Sequence, residues 1–167
     1  MSIDTTKLCN GSATVSVKGA GETYDVGSLG SGVELTYEPE FLMIQPQQSM
    51  AAVKAYKTSE GWVAAFTIWE PTLKNIDFFL FGGDGTYAGG SGEEFGGDDT
   101  PEELEPVVIY GTAPGGFVRT IQFDKMVAIE PGGYPIDRTA SHGYPAKLRA
   151  LVDPATGTFG YVEDATS

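Results

Sequence analysis

Along GWVAAFTIWEPTLKNIDFFLFGG, Gly61 to Gly83, the apolar positions change period partway. Trp62, Ala64, Phe66 and Ile68 alternate with Val63, Ala65, Thr67 and Trp69, and both sets are largely apolar, which predicts a strand buried on both faces. Beyond Trp69 the residues Leu73, Ile76 and Leu80 recur at helical spacing. Glu70 can stand before a first turn, Pro71 suits the first helical position and Gly82 and Gly83 stop the run, so a helix is expected from about Pro71 to Phe81. Trp62, Phe66, Ile68, Trp69, Leu73, Ile76 and Leu80 are the expected helix and core packing residues.

Elsewhere period two dominates. ATVSVK, Ala13 to Lys18, reads as a short strand behind a polar N-terminal arm at residues 1–12, and a short pairing segment is expected at Thr23 to Val26 within a glycine-punctuated connection. In VELTYEPEFLMI, Glu34, Thr36, Glu38 and Glu40 fall on one face and Val33, Leu35 and Tyr37 on the other, with Pro39 marking an edge or a bulge. Residues 45–60, QPQQSMAAVKAYKTSE, are polar with a ragged apolar face and predict a long hairpin arm or loop between two strands. PVVIYG, FVRTIQFDKMVAIE, PAKLRALVD and GTFGYVED supply four more strands, the last two joined by the turn DPATG. Seven or eight strands and one helix of about three turns imply a mainly antiparallel β-sandwich or barrel with a flanking helix. At 167 residues and 41% hydrophobic content, one domain spanning 1–167 is expected.

Composition narrows the chemistry. Ten basic residues against 23 acidic ones give a formal charge of −13, which opposes binding to a phosphate backbone. No apolar run approaches the roughly 20 residues of a membrane span, and the N-terminus has neither the basic start nor the apolar middle of a signal peptide, so a cytosolic product is expected. The single cysteine, Cys9, has no partner for an internal disulfide. The single histidine, His142, lies in TASHGY without a nucleophile elbow or a metal-binding helix motif around it. Residues 82–100 are rich in glycine and acid and predict a mobile loop. Their GG pairs recur every seven residues, whereas calcium-binding glycine repeats have period nine, so no metal is expected there. Two of the glutamates on the Glu34 face could serve a glycosidase, and Trp62 or Trp69 could stack on a sugar. An evenly repeated stripe reads better as a lining, and tryptophans on an apolar strand read better as core. No catalytic residue and no cofactor is expected.

Taken in order, YDVGSLGSGVELTYEPE, the polar arm, GWVAAFTIWEPTLKNIDFFLFGG and PAKLRALVDPATGTFGYVED resemble the tail tube protein of long-tailed, non-contractile bacteriophages over most of the chain. The resemblance implies a β-sandwich with a flanking helix, assembled into hexameric rings that stack into a hollow tube for DNA. It implies a structural virion protein, made in the host bacterial cytoplasm and resident in the tail, whose partners are itself and the tail terminator, tape-measure and tail-tip proteins. DNA would pass without specific binding. On this reading Glu34, Glu38 and Glu40 are the leading channel-lining candidates, followed by Asp124 and Glu130, all expected on strands. Gln45, Gln47, Gln48, Met50, Lys54 and Tyr56 are inter-ring contact candidates, with the N-terminal arm. A contractile-tail tube or a secretion-type injection tube would share these features. A monomeric carbohydrate-binding sandwich is the alternative from another class.

Overall fold

The computed structural model describes residues 13–19, 22–45, 47, 51, 54–76, 78–79, 103–113, 116–129 and 143–165. The expected N-terminal arm, the loop at 82–100, Gln48, Met50, Leu80, Glu130, Cys9 and His142 lie outside them. In chain order the strands are β1 Thr14–Gly19, β2 Glu22–Asp25, β3 Glu34–Tyr37, β4 Glu40–Ile44, β5 Lys54–Ser59 and β6 Trp62–Ile68. The helix α1, Leu73–Ile76, follows, and then β7 Glu103–Leu104, β8 Val107–Thr112, β9 Val118–Phe123, β10 Lys125–Ala128, β11 Tyr144–Leu151 and β12 Gly160–Asp164. One five-stranded sheet has the order β12-β9-β8-β1-β2, a second has β3-β6-β11-β10-β7, and β4 and β5 form a separate two-stranded sheet. Every strand pairing is antiparallel. The mainly antiparallel sandwich with one short helix matches the expected fold class.

Alternation places the core. Val15 and Val17 on β1, Val107 and Ile109 on β8 and Phe123 on β9 are buried against Ala64, Phe66 and Ile68 on β6 and Tyr144, Ala146 and Leu148 on β11. FVRTIQFDKMVAIE, expected as one strand, divides at Asp124 between the two sheets. Asp124 is half-buried in that corner, its backbone N–H donating to the Phe159 carbonyl at 3.0 Å, so it lies on no strand, contrary to expectation. A corner this tight cannot be read from periodicity, because the alternation continues through it.

Two further expectations change. The second face of β6 is only partly covered: Val63 is buried, Ala65 and Thr67 are half-buried, and Trp69 just beyond it is 52% exposed. The Trp69 indole lies so close to Gly30 and Gly143 that a Cβ at either would fall 2.0 Å or 2.7 Å from a ring atom. The helix expected at Pro71 to Phe81 is present, with Leu73–Ile76 as α1, but its cap and its packing residues differ from the expected ones. Thr72, and not Glu70, caps it, its hydroxyl accepting from the Asn75 backbone N–H at 3.2 Å. Leu73 is 39% exposed, Ile76 is half-buried, and the buried residues are Asn75, Phe78 and Phe79. Phe79 meets Phe66 edge to face at 5.7 Å and Phe78 meets Tyr24 at 6.3 Å. The segment after α1 therefore plugs the space between the sheets near β2 and does not blanket the outer face of β6. Its pattern is set by insertion into a core, which three-turn amphipathicity does not describe.

Candidate assembly surface

β3 and β4 run as one ribbon against β5 and β6, broken where the sequence placed a bulge. Glu38 and Gly61 exchange backbone hydrogen bonds of 2.8 and 3.0 Å, and the register then shifts between Glu40 and Phe41. Beyond that shift the ribbon leaves the sandwich as a hairpin arm on which every residue of β4 and β5 is exposed. Its pairs are Phe41 with Lys57, Leu42 with Tyr56, Met43 with Ala55 and Ile44 with Lys54. Period two then puts Phe41 and Met43 on one face and Leu42 and Ile44 on the other. Phe41, Leu42, Met43, Ile44 and Tyr56 are between 42% and 58% exposed. The paired arm thus begins five residues before the expected 45–60 span. Of the inter-ring candidates, Lys54 and Tyr56 stand on β5 and Gln45 and Gln47 follow β4, all exposed.

The arm's root is fixed by a polar cluster on an aromatic stack. Tyr37 lies 4.9 Å from Trp62 between ring centroids, and its hydroxyl donates to Glu60 Oε2 at 2.8 Å. Lys57 Nζ donates to the same oxygen at 2.6 Å. Hydrogen bonds from Lys57 and Tyr37 hold the Glu60 carboxyl below the usual carboxylate range, and Glu60 raises both the Lys57 ammonium and the Tyr37 phenol. At neutral pH the cluster is therefore Lys57 cation, Glu60 anion and neutral phenol. Higher on the arm Lys54 Nζ sits 4.6 Å from the centre of the Tyr56 ring.

Glu34, Thr36 and Glu38 share the outer face of the second sheet, as the alternation predicts. The register brings a second charge row beside them: Glu34 aligns through Ala65 with Lys147, and Thr36 through Val63 with Arg149. Arg149 Nη2 donates to Glu38 Oε2 at 2.7 Å. This face is of mixed sign, which PAKLRALVD signals through Lys147 and Arg149 alternating with buried Ala146, Leu148 and Ala150. Glu40 opens the arm and accepts from the Ser59 hydroxyl at 2.7 Å. The structure thus brings Glu34 and Glu38 onto one face, sets Glu40 at the arm's start and leaves Asp124 at the β9–β10 corner.

On the side of the sandwich where β3 and β12 end the two sheets, the core opens to solvent. A cleft of about 300 Å³ there is lined by Leu35, Trp62, Ile121, Phe123, Phe159 and Val162 among others, and is almost wholly apolar. Neither this cleft nor the arm's EFLMI segment was singled out from the sequence. A short apolar run is ordinarily a buried strand, and only Pro39 before it and the polar run after it hint otherwise. Among the described residues no group of three or more His, Cys, Asp or Glu side chains is placed to hold a metal ion. No helix among them is long and apolar enough to cross a membrane.

No family model matches the sequence, and no curated protein matches it. Solved structures similar to it over most of its length include the following three. The tail of an empty GTA particle, computed with helical refinement in C6 symmetry, has a TM-score of 0.47 at 8% identity over 92% of this chain and 95% of that one. The sixfold-symmetrised baseplate of the anti-feeding prophage gives 0.45 at 11%, over 99% and 95%. A crystal structure of Hcp protein gives 0.37 at 11%, over 92% and 98%. At such identities and TM-scores these likenesses assign no function, which has to be argued from the chain's own surfaces.

Proposed function

We propose that this chain is the subunit of a hollow tube, built from stacked hexameric rings, through which DNA passes. The observation that carries the proposal is the arm, whose strand β4 is apolar and exposed on both faces. A two-stranded ribbon is marginal by itself in water, and an uncovered apolar one invites association. Full burial of a large apolar side chain contributes roughly 1.5–3 kcal/mol, so five half-exposed ones hold about 5 kcal/mol of unrealised burial per arm. Association of two bodies costs roughly 4–15 kcal/mol, so this side-chain burial alone holds a pair only weakly and backbone pairing with an edge strand has to add to it. A closed ring, in which each copy makes several contacts at once, overcomes that cost. The strands β2, β3, β7 and β12, which end the two sheets among the described residues, offer backbone pairing for the remaining contacts.

The charge fits a conduit better than a binding site. Six copies would each bring −13, and a wall of that sign keeps phosphates from adhering. Glu34, Glu38 and Glu40 are the proposed lining, with Asp124 and Glu130 after them, and Lys147 and Arg149 locally offset the first two. Gln45, Gln47, Gln48, Met50, Lys54 and Tyr56 are the proposed inter-ring contacts, to which Phe41, Leu42, Met43 and Ile44 are added. The terminator, tape-measure and tip proteins of a tail would be its partners. A non-contractile phage tail and a contractile or injection-type tube need the same ring. Co-assembly with a sheath protein identifies the second, and a bare tube that binds no sheath identifies the first.

The test pairs Leu42→Asp with Ile44→Asp in one variant. It should keep the wild-type circular dichroism and melting profile and stay monomeric where the wild type forms rings and tubes. Unimpaired assembly would remove the arm from the contact, and a wild type that stays a monomer and binds glycans would replace the proposal with the carbohydrate-binding alternative.

A further inference from the structure

An arm whose strand β4 is apolar and exposed on both faces needs a receptor, and the same chain carries an open apolar surface elsewhere. We propose that the β4–β5 arm of one copy seats in the cleft between β3 and β12 of the next copy, which makes assembly directional. This rests on the tube reading above and names the surface that receives the arm.

Three features of the two surfaces correspond. The first is apolar contact: Leu42, Ile44 and Tyr56 on one face of the arm would meet a cleft floored by Leu35, Trp62 and Phe123. Val162 on the cleft wall is 62% exposed, more than any other large hydrophobic residue described. The second is charge. The arm carries Lys54 at the end of its second strand farthest from the root, while Lys57 nearer the root is already paired with Glu60, in a chain with only ten basic residues against 23 acidic ones. The β12 wall continues into exposed Glu163 and Asp164, and Asp164 is already engaged by Arg119 at 2.6 Å. Contact between two bodies of this charge is repulsive, whereas contact between a lysine-bearing arm and the Glu163 edge is attractive, so electrostatics selects arm against body. The third is backbone. The cleft is flanked by β3 and β12, which end their sheets, so a seated strand can pair with one of them as well as bury its side chains.

The occupant is a second copy, because the arm cannot reach its own cleft. β3 and β6 contribute Leu35 and Trp62 to the cleft and continue directly into the arm. The Glu38–Gly61 pair and the Tyr37–Glu60–Lys57 cluster hold the ribbon extended at its root. A projection on one part of a molecule that fits a recess on another part makes a heterologous contact, and such contacts close into rings or run on as filaments.

The experiment uses the full chain in two variants. One carries Leu42→Asp and Ile44→Asp on the arm, and the other carries Val162→Asp in the cleft, at a position exposed enough for the fold to tolerate it. Melting curves and circular dichroism establish that both are folded. By light scattering each should be monomeric at ten times the concentration at which the wild type assembles. An equimolar mixture should double the mass and stop there, since the intact arm of one fits the intact cleft of the other and neither has a second competent pair. Val162→Asp assembling like the wild type would overturn the proposal and leave the tube reading standing. A mixture that stays monomeric, or either variant alone forming small oligomers, would also overturn it, because the arm and the cleft would then serve different contacts. A wild type that never assembles would remove the tube reading itself.

Discussion

Among the described residues Asn75 is the one buried polar residue, at 0% exposure, and its replacement tests how the α1 plug is held between the sheets. Its Nδ2 donates to the Glu70 carbonyl at 2.7 Å and to the Val26 carbonyl at 3.0 Å, joining the loop before α1 to the segment after β2. Its Oδ1 is buried without a hydrogen-bond partner. In Asn75→Ala two hydrogen bonds are lost, at roughly 0.5–1.5 kcal/mol each, and a buried carbonyl left unpaired costs about 1 kcal/mol more. Removing the unpartnered Oδ1 returns part of that, leaving a net loss of about 1.5–3 kcal/mol. Asn75→Asp should cost more, about 3–5 kcal/mol, because it puts an unpaired buried charge against two carbonyl oxygens. That variant's carboxyl would have a folded pKa above its unfolded value, so its deficit should be largest at neutral pH and shrink as acid protonates it. Urea unfolding of the unassembled subunit, followed by tryptophan fluorescence, measures both. An Asn75→Ala variant as stable as the wild type, or an Asn75→Asp deficit that does not change with pH, would refute this account of the plug.

Two further outcomes follow from the edges of the sandwich. At Gly160, φ is +146° and a Cβ would fall 1.9 Å from the Gln122 carbonyl oxygen, so Gly160→Ala should lift β12 off β9. We expect a loss of at least about 2 kcal/mol and faster amide exchange at Tyr161 to Glu163, and unchanged exchange would contradict it. Asp164 is held below the ordinary carboxylate range by Arg119, so its ion pair contributes above that range and is lost as pH falls through the depressed value. The stability gap between the wild type and Asp164→Asn should therefore be present at pH 7 and narrow only as pH falls below the ordinary aspartate value of about 4. A gap of constant size from neutral to acid would count against the pairing.

How far the sequence foretold this molecule depends on what each signal reports. Strict alternation in β1, β8 and β11 reports one buried face, and there the expected strands agree with the fold. The DPATG turn was equally legible, since Asp153 Oδ1 accepts from the Ala155 N–H at 2.9 Å and Gly157 takes a φ of +72°. Pro39 marked the bulge because it interrupts the ladder. Where the second face of β6 is half open, Trp69 is apolar yet rests on glycines at the surface, and composition cannot distinguish that from burial. The helix stands where it was expected, but its packing residues differ for a related reason: Leu73 keeps the spacing, whereas Asn75, Phe78 and Phe79 carry the packing. On the candidate surface the glutamate stripe was visible, whereas Arg149 beside Glu38 is 111 positions away in the chain and emerges only from sheet register. The arm's apolar run was visible as a strand but not as an exposed one, because exposure depends on what lies beside it.

The most direct measurement is electron microscopy of the purified chain at high concentration, with averaging of any assemblies along and across their axis. The account predicts hollow sixfold rings or tubes, with the β4–β5 arm of each copy buried against another copy and Glu34 and Glu38 facing the bore. Dispersed single molecules at every concentration, or a tube whose bore is lined by other surfaces while the arm points freely into solvent, would contradict it.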